Sequence, residues 1–197
     1  AGRLINYHLR KMVYDQYDPW PLAQIIDKNI ELGFYDPEIL ELYTKEEIEQ
    51  ADGYIKHERD ENIAYVGMEQ FRGKYLVQNR ATGEIFETPQ VAYMMIAATL
   101  FAQYPNETRM QYVKDYYDAI STFDVSLPTP VMAGVRTPQR QFSSCVLIES
   151  DDSLDSIHAT TSSIVKYVSQ KAGIGIGGGK IRAIGSPVRK GDAYHTG

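Results

Sequence analysis

Residues 141–149 read QFSSCVLIE, residues 151–171 read DDSLDSIHATTSSIVKYVSQK, and residues 172–186 read AGIGIGGGKIRAIGS. The first stretch is a short β-rich apolar run, which predicts a buried strand. In the second, Asp152-Ser153 supplies a capping side chain ahead of a helical pattern. Leu154, Ile157, Thr161, Ile164, Val165 and Val168 form its expected buried stripe. The third stretch is glycine-rich and then strand-like. Together they predict strand–helix–strand, the unit from which α/β domains are assembled. Two strands with one crossover helix do not bury both faces of a sheet. Residues 141–197 are therefore expected to be the beginning of an α/β domain.

Upstream the hydrophobic period is helical. Leu4, Tyr7, His8, Met12 and Tyr14 fall near one face of a helix over 3–17, which Pro19 and Pro21 end. A second helix is expected over 21–32, with Gly33 as its C-cap. Asp36-Pro37 opens a short helix through Tyr43, and Thr44 with Glu47 makes a capping box for a helix over 45–57. ENIAYVGMEQFRG (61–73) reads as a further helix ending near Gly73. KYLVQN, RATG and EIFET (74–88) then predict a β-hairpin. Thr88-Pro89 starts a helix over 89–103 that is apolar all round and hence buried. A helix over 107–122 turns Met110, Val113, Tyr117 and Ile120 inward. VSLPTPVMAGVRTPQR (125–140) reads as a structured loop. The expected plan is α+β passing into α/β: a mostly helical domain over 1–140, then the start of an α/β domain over 141–197.

Composition narrows the function classes. Hydrophobic residues make up 43% and charged residues 23%, the balance of a soluble globular chain. The net charge is -6 with no basic stripe, so no nucleic-acid partner is expected. The most apolar stretch, Val91–Phe101, falls short of the roughly 18 to 20 residues a bilayer span needs, so no membrane association is expected. AGRLINYHLRK lacks the apolar core of a signal peptide. It also starts without Met inside a helical pattern, and GDAYHTG ends without a polar tail, so both ends read as cut. A single Cys excludes an internal disulfide framework and favours a reducing, cytoplasmic compartment.

Four features could carry chemistry. Cys145 is either a small buried hydrophobe or a redox thiol, and the second role needs a partner thiol that this chain does not supply. The run Gly173–Gly179 follows a helix instead of linking a strand to one, so it is no dinucleotide fingerprint. It is either a flexible turn or a place where backbone approaches a ligand closely. Asp152, Ser153, Arg182 and Arg189 are either surface groups or an anion site at a helix N-terminus. Thr129 is fixed between Pro128 and Pro130. His8, His57, His158 and His195 have no metal-ligand spacing, and no metal site is expected.

QFSSCVLIE, with LPTPVMAGVRTPQRQ before it and DSLDSI and AGIGIGGGKIRAIGSPVRKGDAYHTG after it, resembles the large catalytic subunit of class I ribonucleotide reductases. The resemblance runs back through ETRMQYVKDYYDAISTF and KYLVQNRATGEIFE to YHLRK, covering essentially the whole chain. It implies reduction of ribonucleoside diphosphates to deoxyribonucleotides by a thiyl radical, with a cysteine pair supplying the electrons. It implies a helical domain followed by a ten-stranded α/β barrel, of which this chain holds the first strands. By the same resemblance Cys145 is one of the redox pair, and Thr129, Ser144, Ala172 and Gly173 line the substrate. The resemblance also implies that Asp152, Ser153, Leu154, Arg182 and Arg189 form a specificity site for a deoxynucleoside triphosphate or ATP. The helix beginning at Ser153 packs against its twin in a homodimer.

The further partners implied are a radical-generating small subunit, whose metal site holds the radical cofactor, and a thioredoxin- or glutaredoxin-type reductant. No cofactor is implied to bind this segment directly. The family's N-terminal ATP cone, the radical cysteine and the second redox cysteine are not in this sequence, so the segment by itself is expected to be inactive. An effector-binding module without chemistry is the alternative.

Overall fold

The computed structural model describes residues 1–196; Gly197, the last residue of the expected barrel segment, lies outside the described residues. Helices α1 (Gly2–Tyr14), α2 (Leu22–Glu31), α3 (Glu38–Leu42), α4 (Lys45–Tyr54) and α5 (Tyr65–Gln70) come first. A short hairpin follows, β1 (Gln78–Asn79) with β2 (Glu84–Ile85), and then α6 (Pro89–Phe101), α7 (Asn106–Ser121) and α8 (Thr129–Gly134). The last elements are β3 (Cys145–Glu149), α9 (Leu154–Ser169), β4 (Gly173–Gly177), β5 (Pro187–Val188) and β6 (Ala193–Tyr194). The chain divides into two compact units, one ending at Phe142 and one beginning at Ser143.

The first unit is built around α6. Pro89 through Ala98 are all buried, as a helix without a polar face requires. Against it α7 lays Met110, Val113, Tyr117 and Ile120, the four residues its period selects. Thr44 and Glu47 cap α4 reciprocally, Thr44 Oγ1 accepting from Glu47 N–H at 3.2 Å and Glu47 Oε2 from Thr44 N–H at 2.8 Å.

Several expectations change. The inward face of α1 carries Asn6, Leu9, Arg10, Val13 and Tyr14, while Leu4, Tyr7 and Met12 are exposed. Arg10 donates from Nη2 to the His57 carbonyl at 2.6 Å, and this lets a charged residue take a core position. The helix stops at Asp15, which adopts a left-handed conformation, before either proline. The helix expected over 45–57 ends at Tyr54, and a 3-10 turn spans His57–Asn62. A π-helical turn, Phe71–Tyr75, carries the segment after α5 past Gly73. The proline-rich stretch before 140 contains a true helix, α8, because Pro130 sits in the first turn where no N–H is needed.

Two buried polar groups hold this unit together. Glu87 and Arg136 form an ion pair with both side chains fully buried. Arg136 Nε donates to both Glu87 oxygens, Nη2 donates to Glu87 and to the Tyr75 carbonyl at 2.8 Å, and Nη1 donates to the Met132 carbonyl at 2.7 Å. Tyr35 hydroxyl (2.6 Å) and Val77 N–H (2.7 Å) complete the Glu87 shell. Burial pulls the Arg136 pKa down, but the charge of Glu87 outweighs it and leaves the guanidinium more basic than usual. Asp60, also fully buried, accepts from Gln90 Nε2 at 3.0 Å. Burial pushes its pKa up to about 7, against the lowering effect of Gln90 and Arg10.

In the second unit β3 and β4 pair in parallel, with Cys145 opposite Gly173 and Glu149 opposite Gly177. The glycine run is thus largely a strand, and the expected strand after it is replaced by turns and the β5–β6 hairpin. β3 is not buried: Cys145, Leu147 and Glu149 are exposed and Leu147 is 87% accessible, since among the described residues β3 pairs with β4 alone. Most of the expected stripe of α9 is also outward. Leu154, Ile157, Val165 and Val168 are exposed, and the inward positions are Ser156, Thr160, Ser163 and Ile164. Small side chains on that face allow the helix to lie close to a strand made half of glycine.

Candidate functional site

The parallel β3–β4 pair organises two groups of residues, one at each end. At the N-terminal end Gly173 N–H donates to the Ser144 carbonyl at 2.9 Å, and Cys145 stands opposite Gly173 in register. A Cβ at 173 would lie 3.3 Å from Cys145 Sγ and 3.5 Å from the Ser144 oxygen. Glycine there leaves the thiol room that a side chain would take. Ala172 is buried and its N–H donates to the Tyr167 carbonyl at 3.1 Å. Cys145 is a free thiol and is exposed in this segment, where β3 pairs with β4 alone among the described residues. Ser144, Cys145, Ala172 and Gly173 are brought together. Thr129 belongs to the first unit, where it is the exposed first residue of α8.

At the other end of the strands, roughly 15 Å away at ~3.3 Å per residue, lies a cavity of about 380 Å³. Asp152, Ser153, Leu154, Arg182 and Arg189 all line it, with Ile157, Ile181, Val188 and His195. α9 positions the first three. Ser153 is its N-cap, and its Oγ accepts from Ser156 N–H at 3.1 Å. The turns after β4 bring Arg182 across: its Nε donates to Asp152 Oδ2 at 2.6 Å and its Nη1 to the Pro187 carbonyl at 3.2 Å. Arg189 takes a left-handed conformation (φ 48°) at the start of a 3-10 turn, with Lys190 beside it also left-handed. Left-handed backbone at two successive non-glycine residues is costly, and such strain concentrates at functional sites. Two residues before Arg182, Lys180 Nζ lies 3.1 Å from Glu149 Oε2 and 3.3 Å from Asp151 Oδ1. Glu149, and then Asp151, hold the ammonium above its usual pKa.

Apolar side chains, two guanidinium groups and a helix N-terminus together suit an anionic ligand with an apolar part. Sequence reading missed His195, because the hairpin that delivers it was not foreseen. It missed Lys180 as well, because nothing in the spacing pairs position 180 with positions 149 and 151. Among the described residues no cluster of His, Cys, Asp or Glu could hold a metal ion, and no helix is long and apolar enough to cross a membrane.

A helical unit thus precedes a parallel strand pair that carries an exposed cysteine at one end and a cavity lined by two arginines at the other. Residues 61–140 match the family model for the ribonucleotide reductase all-alpha domain, and residues 143–197 match that for the ribonucleotide reductase barrel domain. Over all 197 residues the chain is 60% identical to ribonucleoside-diphosphate reductase 1 subunit alpha of Escherichia coli. It is 58% identical to the subunit alpha of Haemophilus influenzae and 49% identical to that of Enterobacteria phage T4, again over its full length. The chain spans 26% of the length of each of these relatives. It belongs to the family of ribonucleotide reductase large (alpha) subunits.

Proposed function

We propose that the protein to which this chain belongs reduces ribonucleoside diphosphates to deoxyribonucleoside diphosphates, and that this segment contributes one redox thiol and an allosteric site. The observation that carries the reading is the convergence of Asp152, Ser153, Leu154, Arg182 and Arg189 on one cavity, at the far end of the strand pair from Cys145. Cys145 is one of two thiols that close to a disulfide; their two electrons and two protons replace the ribose hydroxyl by hydrogen and release it as water. The bare backbone of Gly173 beside it supports that role. Ser144, Ala172 and Gly173, with Thr129, contact substrate. The second cysteine, the radical cysteine and the metal-bearing small subunit belong to parts of the enzyme other than this segment, and a thioredoxin- or glutaredoxin-type protein restores the dithiol in the cytoplasm.

The cavity takes a deoxynucleoside triphosphate or ATP as effector. The exposed Leu154, Ile157, Val165 and Val168 support a homodimer in which α9 meets its twin beside that site. Cys145→Ser in the complete subunit tests the redox role. Multiple turnover with a dithiol reductant is expected to vanish while effector binding stays intact. Turnover that survives the substitution refutes it.

A further inference from the structure

The cavity presents an electrostatic problem that its lining alone does not solve. The chain from the end of β3 to the first turn of α9, of which Asp152, Ser153 and Leu154 line the cavity, carries Glu149, Asp151, Asp152 and Asp155 within seven residues. A triphosphate would meet these carboxylates as well as the arginines. Asp152 is answered by Arg182 at 2.6 Å. Glu149 and Asp151 are answered by one residue, Lys180, which contacts both. Arg189 makes no ion pair among the described residues, so its charge remains available to a ligand.

We infer that Lys180 is a positioning residue for the anionic ligand of this cavity: by holding Glu149 and Asp151 together it keeps two carboxylates from opposing phosphate at Arg182 and Arg189. The inference rests on the reading of the cavity as a triphosphate effector site. Lys180 does not line the cavity. It precedes Arg182 by two residues, and Asp151 adjoins Asp152. Its partners therefore lie within about one Debye length of the site, ~8 Å at physiological salt. An ordinary surface ion pair would look similar in isolation, and the three side chains are indeed 52%, 63% and 69% exposed. Such pairs contribute almost nothing to stability, and that separates the two roles. A decorative pair can be removed without consequence, whereas a charge mask can be removed without unfolding anything but at the expense of ligand affinity.

The experiment is equilibrium binding of dTTP to the complete large subunit, in the wild type, Lys180→Met, the triple variant Lys180→Met/Glu149→Gln/Asp151→Asn, and Arg189→Ala. Lys180→Met is expected to weaken binding roughly three- to tenfold at low salt, with thermal unfolding unchanged. The triple variant, which removes the carboxylates along with their mask, is expected to return close to wild-type affinity. The difference between Lys180→Met and wild type is expected to shrink as salt rises. Wild-type affinity in Lys180→Met overturns the inference. So does a triple variant as weak as Lys180→Met, since Lys180 would then act on the ligand directly. Arg189→Ala reports on the underlying reading: if it binds dTTP as tightly as wild type, the cavity is not the effector site. If it alone loses binding, only the role of Lys180 falls.

Discussion

Replacing Arg136 by Met is the sharpest test of what holds the first unit together. The substitution removes every guanidinium bond to Glu87, along with the donors to the Met132 and Tyr75 carbonyls. Glu87 keeps Tyr35 and Val77 as donors but loses its counter-charge in a site that is 0% exposed. Breaking a buried pair from one side costs about 3–5 kcal/mol, and each carbonyl left without a donor adds to the upper end of that range. Glu87→Gln, which strands the guanidinium instead, is expected to cost a similar amount. The double variant Glu87→Gln/Arg136→Met strands neither charge. It is expected to cost less than the sum of the two by at least ~2 kcal/mol, the coupling of residues in one network. Urea unfolding followed by Trp20 fluorescence is the assay. Trp20 is the sequence's one tryptophan and sits 5.9 Å from the Tyr14 ring within this unit. A loss below ~1 kcal/mol for Arg136→Met, or strict additivity in the double variant, would refute the reasoning.

Other outcomes follow from the same structure. Gly173→Ala places a Cβ 3.3 Å from Cys145 Sγ and is expected to slow alkylation of that thiol by a maleimide several-fold; an unchanged rate would mean the thiol is approached from elsewhere. Gly175→Ala meets only the end of the exposed Leu147 side chain, at 2.6 Å. Leu147 can swing away, so denaturation midpoints should move little, and a large destabilisation would contradict this. The pKa of Asp60 is raised above its unfolded value by burial, so its contribution to stability is full below pH ~4 and lost as pH rises through about 7. His57, depressed to about 4 by burial and then Arg10, acts in the opposite sense and loses stability as pH falls from ~6.5. The stability difference between Asp60→Asn and wild type should therefore shift in favour of Asp60→Asn as pH rises from 4 to 7; a pH-independent difference would show that Asp60 does not titrate there.

The helical order was legible because its signals are local. The Thr44–Glu47 box, the all-apolar α6 and the inward residues of α7 are properties of a few consecutive side chains. Faces were harder to read. In α1 the apolar count pointed to Leu4 and Met12, yet Asn6 and Arg10 were buried, the arginine because a carbonyl 47 residues away accepts from it. In α9 the apolar stripe was correct as a stripe, but the strands took the small-residue side. The hairpin β5–β6 left no readable period, as two-residue strands have none. The candidate site residues were legible mainly by resemblance. Spacing alone left Arg182 and Arg189 as plausible surface cations, and only the turn that folds them toward α9 gathers them into one place.

A helix with no solvent face has no independent existence. α6 gains nothing from forming before its neighbours, because every side of it needs covering, and none of those neighbours has a complete core without it. The first unit should therefore come apart as one cooperative block, its α6 amides exchanging with solvent only through global opening. A destabilising change anywhere along residues 1–142 would then be felt as a smaller fraction of intact molecules, each of them still fully native, and not as a loosened region within all of them.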